Sequence, residues 1–152
     1  MKIEKKLGSS YPEISWNDDF VTGVKEIDEQ HMILVNTLNE ASSKLTSDNS
    51  QSVLLDFTQE LLAYALYHFE TEEELMQQYD YQIADQMSMQ QHLKEHRSFS
   101  QQVIAVREQI HAGKNTEIPE LLDFLYQWIV NHILKTDKAL AKQILAKLTD
   151  TQ

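Results

Sequence analysis

The sequence predicts an all-α chain, an up-down-up-down antiparallel four-helix bundle entered through an extended N-terminal arm. Three observations predict it. Breakers are scarce, with 3 Gly and 2 Pro in 152 residues, which favours long helices over short strands joined by tight turns. Four stretches carry apolar residues at spacings of three and four. The breaks between them are short, and short connections make successive helices antiparallel neighbours.

Residues 1–25 lack a helical period and contain Gly8, Ser9, Ser10, Pro12 and Gly23. They form the arm, and Tyr11, Trp16 and Phe20 give it apolar surface to pack on the bundle, which occupies 26–152. The first helical segment runs from about Glu26 to Leu45, with Ile27, His31, Leu34, Leu38, Ala41 and Leu45 in phase. Ser47-Asp48-Asn49-Ser50 breaks it and offers an N-cap. The second runs from about Gln51 to Tyr79, its stripe passing through Leu54, Phe57, Leu61, Ala65, His68, Glu72, Leu75 and Met76. Asp80-Tyr81-Gln82 is the next break. The third spans about Ile83 to Ala112, with Met89, His92, His96, Phe99, Val103 and Ile110. Gly113 supplies the C′ glycine that ends it, Thr116 is the expected cap of the fourth segment, and Pro119 sits in that segment's tolerant first turn. The fourth covers about Ile118 to Leu148, with Leu121, Leu125, Trp128, Ile129, His132, Leu140 and Ile144. No internal repeat or second domain interrupts the pattern.

Composition removes several function classes. There are no cysteines, which excludes disulfides, Fe–S clusters, thiolate zinc sites, covalently attached haem and cysteine nucleophiles. The formal net charge of -11 repels nucleic acid and anionic membrane surfaces. No apolar run approaches the ~20 residues that span a bilayer, and the first residues lack the apolar stretch of a secretory signal. The expectation is a soluble, cytoplasmic protein with neither nucleic acid nor membrane as partner.

Five of the six histidines lie on the apolar stripes. A single histidine there is ordinarily a core residue bonded to a backbone carbonyl, because its polar nitrogens must be satisfied when buried. Five, spread over all four stripes, need another explanation. His68 and Glu72 are four apart on the second segment, and His92 and His96 four apart on the third. Such pairs share a helix face, ~6 Å apart at Cβ, so both members can reach one ion. His31 stands alone on the first segment, and His132 and Asp137 lie five apart on the fourth. Depths agree as well: at ~1.5 Å per residue, His31 and His68 lie about equally far from the turn that joins their helices, and the His92/His96 pair and His132 about equally far from Gly113. By contrast, His111 reads as a surface residue near a helix C-terminus. Glu73 and Glu74, out of phase with His68, read as solvated.

In this pattern the sequence resembles the hemerythrins, in particular the bacterial ones. The resemblance rests on His31 in the Gly23…Ile27-Asp28-Glu29-Gln30-His31 run, on His68 and Glu72 in a His-Phe-x-x-Glu-Glu-x-Leu-Met run ending at Met76, on His92-x-x-x-His96, and on His132-x-x-x-x-Asp137. Trp16 also matches the family's arm. The match extends from about 16 to 140, and one departure is that Tyr81 is followed by Gln82 where the family has a proline. The resemblance implies two iron ions joined by an oxo or hydroxo bridge. His92, His96 and His132 would hold one, His31 and His68 the other, and Glu72 and Asp137 would bridge them. It implies reversible O2 binding at the two-histidine iron, with NO or anions such as azide as other small ligands and a protein O2 acceptor as a further partner.

A count of donors agrees. Two octahedral ions offer about twelve positions. Five imidazoles, two bridging carboxylates and one bridging solvent oxygen fill all but one, and an open position is what an exogenous ligand requires. Imidazole with carboxylate suits iron. The set is histidine-rich and lacks the paired Glu-x-x-His motifs of ferritin-like di-iron sites, which favours binding over oxidation and a non-enzymatic protein. Leu34, Phe69, Trp128, Ile129 and Ile133 lie within about a turn of the histidines and would line a dry O2 pocket. The alternatives are an O2 or redox sensor module, a di-iron peroxidase or nitric-oxide-handling enzyme, and metal storage or repair.

The five-residue spacing carries a structural expectation. Over five residues a regular α-helix turns by ~500°, leaving His132 and Asp137 ~140° apart. A π-type turn, with one extra residue, supplies the missing rotation, and such turns concentrate at functional sites. The sequence therefore predicts one near Lys135 and Thr136.

Overall fold

The computed structural model describes residues 3–5, 12–48, 50–114 and 117–150. Tyr11 and Thr116, expected to pack the arm and to cap the last helix, lie outside these residues. A short antiparallel hairpin of β1 (Ile3–Lys5) and β2 (Pro12–Ile14) leads to a 3-10 turn at Asp18–Phe20. Then come α1 (Lys25–Ser47), α2 (Gln51–Gln78), a single turn α3 (Tyr81–Ala84), α4 (Gln86–His111) and α5 (Ile118–Asn131). A π-helical segment, His132–Asp137, continues α5 directly into α6 (Lys138–Asp150). Counting α5, the π segment and α6 as one rod gives four main helices, packed antiparallel as expected. Among the described residues, no helix is long and apolar enough to cross a membrane.

Local chemistry explains most boundaries. Ser50 caps α2, its side chain accepting from the Val53 amide. Gly113 ends α4 in the left-handed conformation, φ +76°, that glycine adopts without strain. Asp28, in the first turn of α1, accepts from the Thr22 amide and hydroxyl and from the Gly23 amide, which fixes the entry of the arm. Between α2 and α4 the structure differs from the expected helix start at Ile83. Asp80 takes φ +57°, Ile83 lies in the separate turn α3 with 85% of its surface exposed, and Asp85 restarts the chain by capping α4 at the Ser88 amide. The cap at Asp85, not hydrophobic phase, sets where the helix begins.

The arm packs on the bundle through Ile14, Trp16 and Phe20. Ile14 and Phe20 are buried, and Trp16 stacks on Phe20 with centroids 5.0 Å apart. Asn39 of α1 clamps the backbone of Ile14, accepting from its amide at 3.0 Å and donating to its carbonyl at 2.8 Å. Tyr126 of α5 donates to the same Asn39 oxygen at 2.9 Å.

The bundle interior has two apolar cores. The larger contains Leu34, Leu38, Leu61, Phe69, Phe99, Leu122, Leu125, Ile129 and Ile133. The smaller contains Ile27, Leu75, Met76, Tyr81, Leu140 and Ile144. On each helix the sequence passes from one core to the other through the histidine and carboxylate positions. A polar layer thus lies across the bundle with apolar material on both sides.

Candidate metal centre

Seven side chains form that layer. His31 comes from α1, His68 and Glu72 from α2, His92 and His96 from α4, and His132 and Asp137 from the π segment. All seven are buried, Glu72 and Asp137 completely. They group into two sets that share Glu72. One is Glu72, His92, His96 and His132; the other is His31, His68, Glu72 and Asp137, and within each set the donor atoms lie within 4.8 Å of one another. Asp137 also reaches the first set, with its Oδ1 3.0 Å from His92 Nε2 and 2.9 Å from His132 Nε2. The structure thus brings all seven sequence-predicted positions to one point in the bundle.

The π segment is what brings Asp137 in. Its six residues, His132 to Asp137, are those expected to carry the distortion, and both ends are buried. Lys135 remains on the exposed side of the same segment.

Hydrogen bonds account for only part of the layer. His68 Nε2, both ring nitrogens of His92, His31 Nδ1, Glu72 Oε2 and Asp137 Oδ1 are buried without a hydrogen-bond partner. Each such group costs about 1–3 kcal/mol when left unmade, and orphans this dense are otherwise rare. His68 Nε2 stands 3.1 Å from Glu72 Oε1, and His92 Nε2 3.4 Å from the same oxygen, yet neither makes a hydrogen bond to it. His31 Nε2 does bond Asp137 Oδ2, and His96 and His132 Nε2 bond Glu72 Oε1. The six orphaned atoms remain, and donors converging in excess of their mutual bonds fit a pair of cations.

Electrostatics lead to the same place. Burial alone would raise the Glu72 pKa, but His68 and the other neighbours hold it well below the usual carboxylate range. Burial and the Glu72 charge raise Asp137, and His132 and His31 outweigh both, so it too stays anionic. Burial lowers His68, and Glu72 and Asp137 overcome this to hold it at about 9. His132 is likewise held well above its ordinary value against burial, chiefly by Asp137. His96 is lowered by burial, with the charges of His92 and His132 adding to the effect. Two buried anions require positive charge beside them. Without metal, protons on the imidazoles supply it; with metal, the ions do.

Outside the donor set lies a layer that the sequence reading missed. His68 Nδ1–H donates to Gln30 Oε1 at 2.6 Å, His96 Nδ1–H to Glu73 Oε2 at 3.0 Å, and His132 Nδ1–H to Glu95 Oε1 at 3.0 Å. Each acceptor fixes the tautomer and turns the Nε2 lone pair inward. Gln30 is oriented in turn by its amide, which donates to Thr71 Oγ1 at 3.1 Å. The Thr136 hydroxyl shares its one proton between the two oxygens of Glu95, at 2.8 and 3.0 Å. Glu73 is therefore not merely solvated, as its phase suggested: 44% of its side chain is exposed, and one oxygen holds His96. The signal was adjacency. Gln30 neighbours His31, Glu73 neighbours Glu72, and Glu95 neighbours His96. One step along a helix turns ~100°, and each of these residues reaches the histidine of the next element round the bundle.

The five expected pocket residues all belong to or pack against the larger core, and two of them touch the three-histidine set. Phe69 stacks on His96 with centroids 4.0 Å apart and planes at 11°, and Trp128 stacks on His132 at 4.5 Å and 14°. Both therefore cover the three-histidine set. Leu34 lies one turn beyond His31, and Leu34, Ile129 and Ile133 are buried members of the larger core. His111, as expected, is exposed at the end of α4.

Known proteins are similar to this chain. The family model for the hemerythrin HHE cation binding domain matches residues 22–144. A bacteriohemerythrin of Stenotrophomonas maltophilia is 32% identical over 133 residues, spanning 88% of this chain and 82% of that one. A bacteriohemerythrin of Clostridium acetobutylicum is 30% identical over 127 residues, spanning 81% and 95%. Among solved structures, the crystal structure of wild-type hemerythrin superposes with a TM-score of 0.76 at 25% identity, over 86% of this chain and 97% of that one. With the family model covering most of the bundle and relatives of 30% identity or more along most of both chains, this chain belongs to the hemerythrin HHE cation-binding family.

Proposed function

We propose that this chain holds a non-haem di-iron centre and binds O2 reversibly at it, as a carrier, store or delivery protein rather than an enzyme. The observation that carries the reading is the unspent bonding capacity of the polar layer. Five inward-facing imidazoles and two buried carboxylates form two sets that share Glu72. In this reading His92, His96 and His132 would hold one ion and His31 and His68 the other, with Glu72 and Asp137 shared between them. When bound, the two irons supply one electron each and an open coordination position for O2. Neutral imidazoles with carboxylates suit iron, and two shared carboxylates suit a pair of ions better than one.

The chain's own residues favour binding over turnover. Among the described residues, the only buried carboxyl groups are Glu72 and Asp137, both in the donor set. No further buried acid stands ready to deliver protons to a bound ligand. Phe69 and Trp128 lie flat against His96 and His132 and keep water from them. Phe69 and Trp128, expected in the O2 pocket, thus shield the three-histidine position, and we assign Leu34, Ile129 and Ile133 to the apolar surround of the O2 site. Its low polarity disfavours charge separation and loss of the ligand as an anion.

The test is an optical spectrum of the reduced, iron-loaded protein before O2, after O2 and after degassing. A visible band that appears with O2 and disappears under vacuum is expected. A band that persists, with stoichiometric release of peroxide or water, would make the protein an oxidase. Elemental analysis showing one zinc and no iron would end the di-iron reading.

A further inference from the structure

The residues behind the histidines differ between the two donor sets. In the three-histidine set, His96 and His132 each donate Nδ1–H to a carboxylate, Glu73 and Glu95. In the two-histidine set, His68 donates to the neutral amide of Gln30. His92 and His31, one in each set, have Nδ1 without a partner. Resting on the two-ion reading above, we propose that Gln30, Glu73 and Glu95 are positioning residues that make the two metal positions unequal and set an order of loading. The three-histidine position fills first and tightly, and the two-histidine position fills second and exchanges its ion more readily.

The physical basis is the charge behind each ring. An ion at Nε2 draws electron density from the imidazole and makes Nδ1–H more acidic. A carboxylate there both orients the ring and offsets that positive charge, raising the donor strength of Nε2. An amide oxygen orients the ring without adding negative charge. Glu95 is itself held by the Thr136 hydroxyl, whose one proton is shared between its two oxygens, so its position does not have to be found when the ion binds. Gln30 cannot present its nitrogen to His68, because that nitrogen is committed to Thr71. His68 is thus as well oriented as His96 and His132, and what the backing residues add to the difference in histidine number is charge. Removing such a backing residue typically weakens metal binding ~10–100-fold.

Anaerobic titration of the metal-free full chain with Co(II), followed by its d–d absorption and by chelator competition, tests this. Wild type should take two ions in two steps about 10-fold or more apart. His31→Ala should keep the tight step and His132→Ala should lose it. Glu95→Gln, which keeps an acceptor and removes the charge, should weaken the tight step ~10–100-fold and shift the spectrum of that step alone. Gln30→Glu should tighten the weak step by about 10-fold, a gain that damage to the fold cannot produce. The loading order is overturned if two ions bind with equal affinity, if the tight step survives in His132→Ala, or if substitutions at 30 and 95 leave both steps unmoved. If wild type takes no second ion, the two-ion reading itself falls, and the order with it.

Discussion

His132 and Asp137 are five residues apart on one rod, yet their Nε2 and Oδ1 atoms lie 2.9 Å apart and both side chains are buried. A regular helix would splay them by ~140°. The π segment between them reconciles sequence spacing with a single focus, and Lys135, on its exposed side, is the residue that a regular helix would not need.

Deleting Lys135 therefore has a definite expected outcome. The histidine and the aspartate become four apart, which places both on one face of an ordinary α-helix. The shortened chain should keep two metal ions and replace the π hydrogen bonds with i→i−4 bonds, visible by NMR or crystallography. Loss of both ions in a folded deletion variant would show that the π geometry itself, and not merely convergence, is required.

The shared carboxylate gives a stoichiometry prediction. Glu72 belongs to both donor sets, whereas His31 belongs to one. Glu72→Ala should abolish binding of both ions, His31→Ala should leave one, and His92→Ala should lose much of the total. Metal analysis of the folded, desalted proteins checks this. Glu72→Ala retaining two ions would remove the bridge from the site.

The helices, the seven positions and the π turn were legible in the sequence, because convergence on one point imposes spacings of four and five on an apolar stripe. The backing residues were not. Gln30, Glu73 and Glu95 sit about 100° off the stripe and look like ordinary solvated residues until the neighbouring helix is in place. The turn α3 escaped for a related reason. Asp85 ends one helix turn and starts the next through a bond to Ser88, a contest between cap and periodicity that apolar phase does not record. Asn39 lies off the first stripe, and only the arm's folding back onto α1 reveals it as the residue that clamps Ile14.

That clamp yields a stability prediction. Asn39→Ala removes both bonds to the Ile14 backbone and leaves a part-buried amide and carbonyl to find other partners. The expected cost is about 2 kcal/mol, or roughly 4–8 °C in Tm for a chain of this size. Limited proteolysis should cut the arm sooner than in wild type. An unchanged Tm and cleavage pattern would mean that Ile14 and Phe20 hold the arm by burial alone.

The last prediction concerns pH in the metal-free protein. His68 is held at about 9 in the folded chain, above its ordinary 6.5, because Glu72 and Asp137 outweigh the effect of burial. A folded-state pKa above the unfolded one contributes stability that is complete below about 6.5 and disappears as pH rises through about 9. Glu95 behaves oppositely. Burial raises it, but His132 and Thr136 together bring it to about 2, so its contribution is complete above 4.5 and is lost as pH falls toward 2. The metal-free protein should therefore be more stable at pH 6.5 than at 9.5. In the metal-loaded protein the ions take the place of the protons on His68 and its neighbours, so that slope should flatten, and metal affinity should rise over the same pH interval as protons cease to compete. Urea midpoints of both forms at pH 6.5 and 9.5, with His68→Gln as the control in which the metal-free slope shrinks, measure the effect. A metal-free midpoint that is equal or higher at pH 9.5 would show that protons on this cluster do not stand in for the ions.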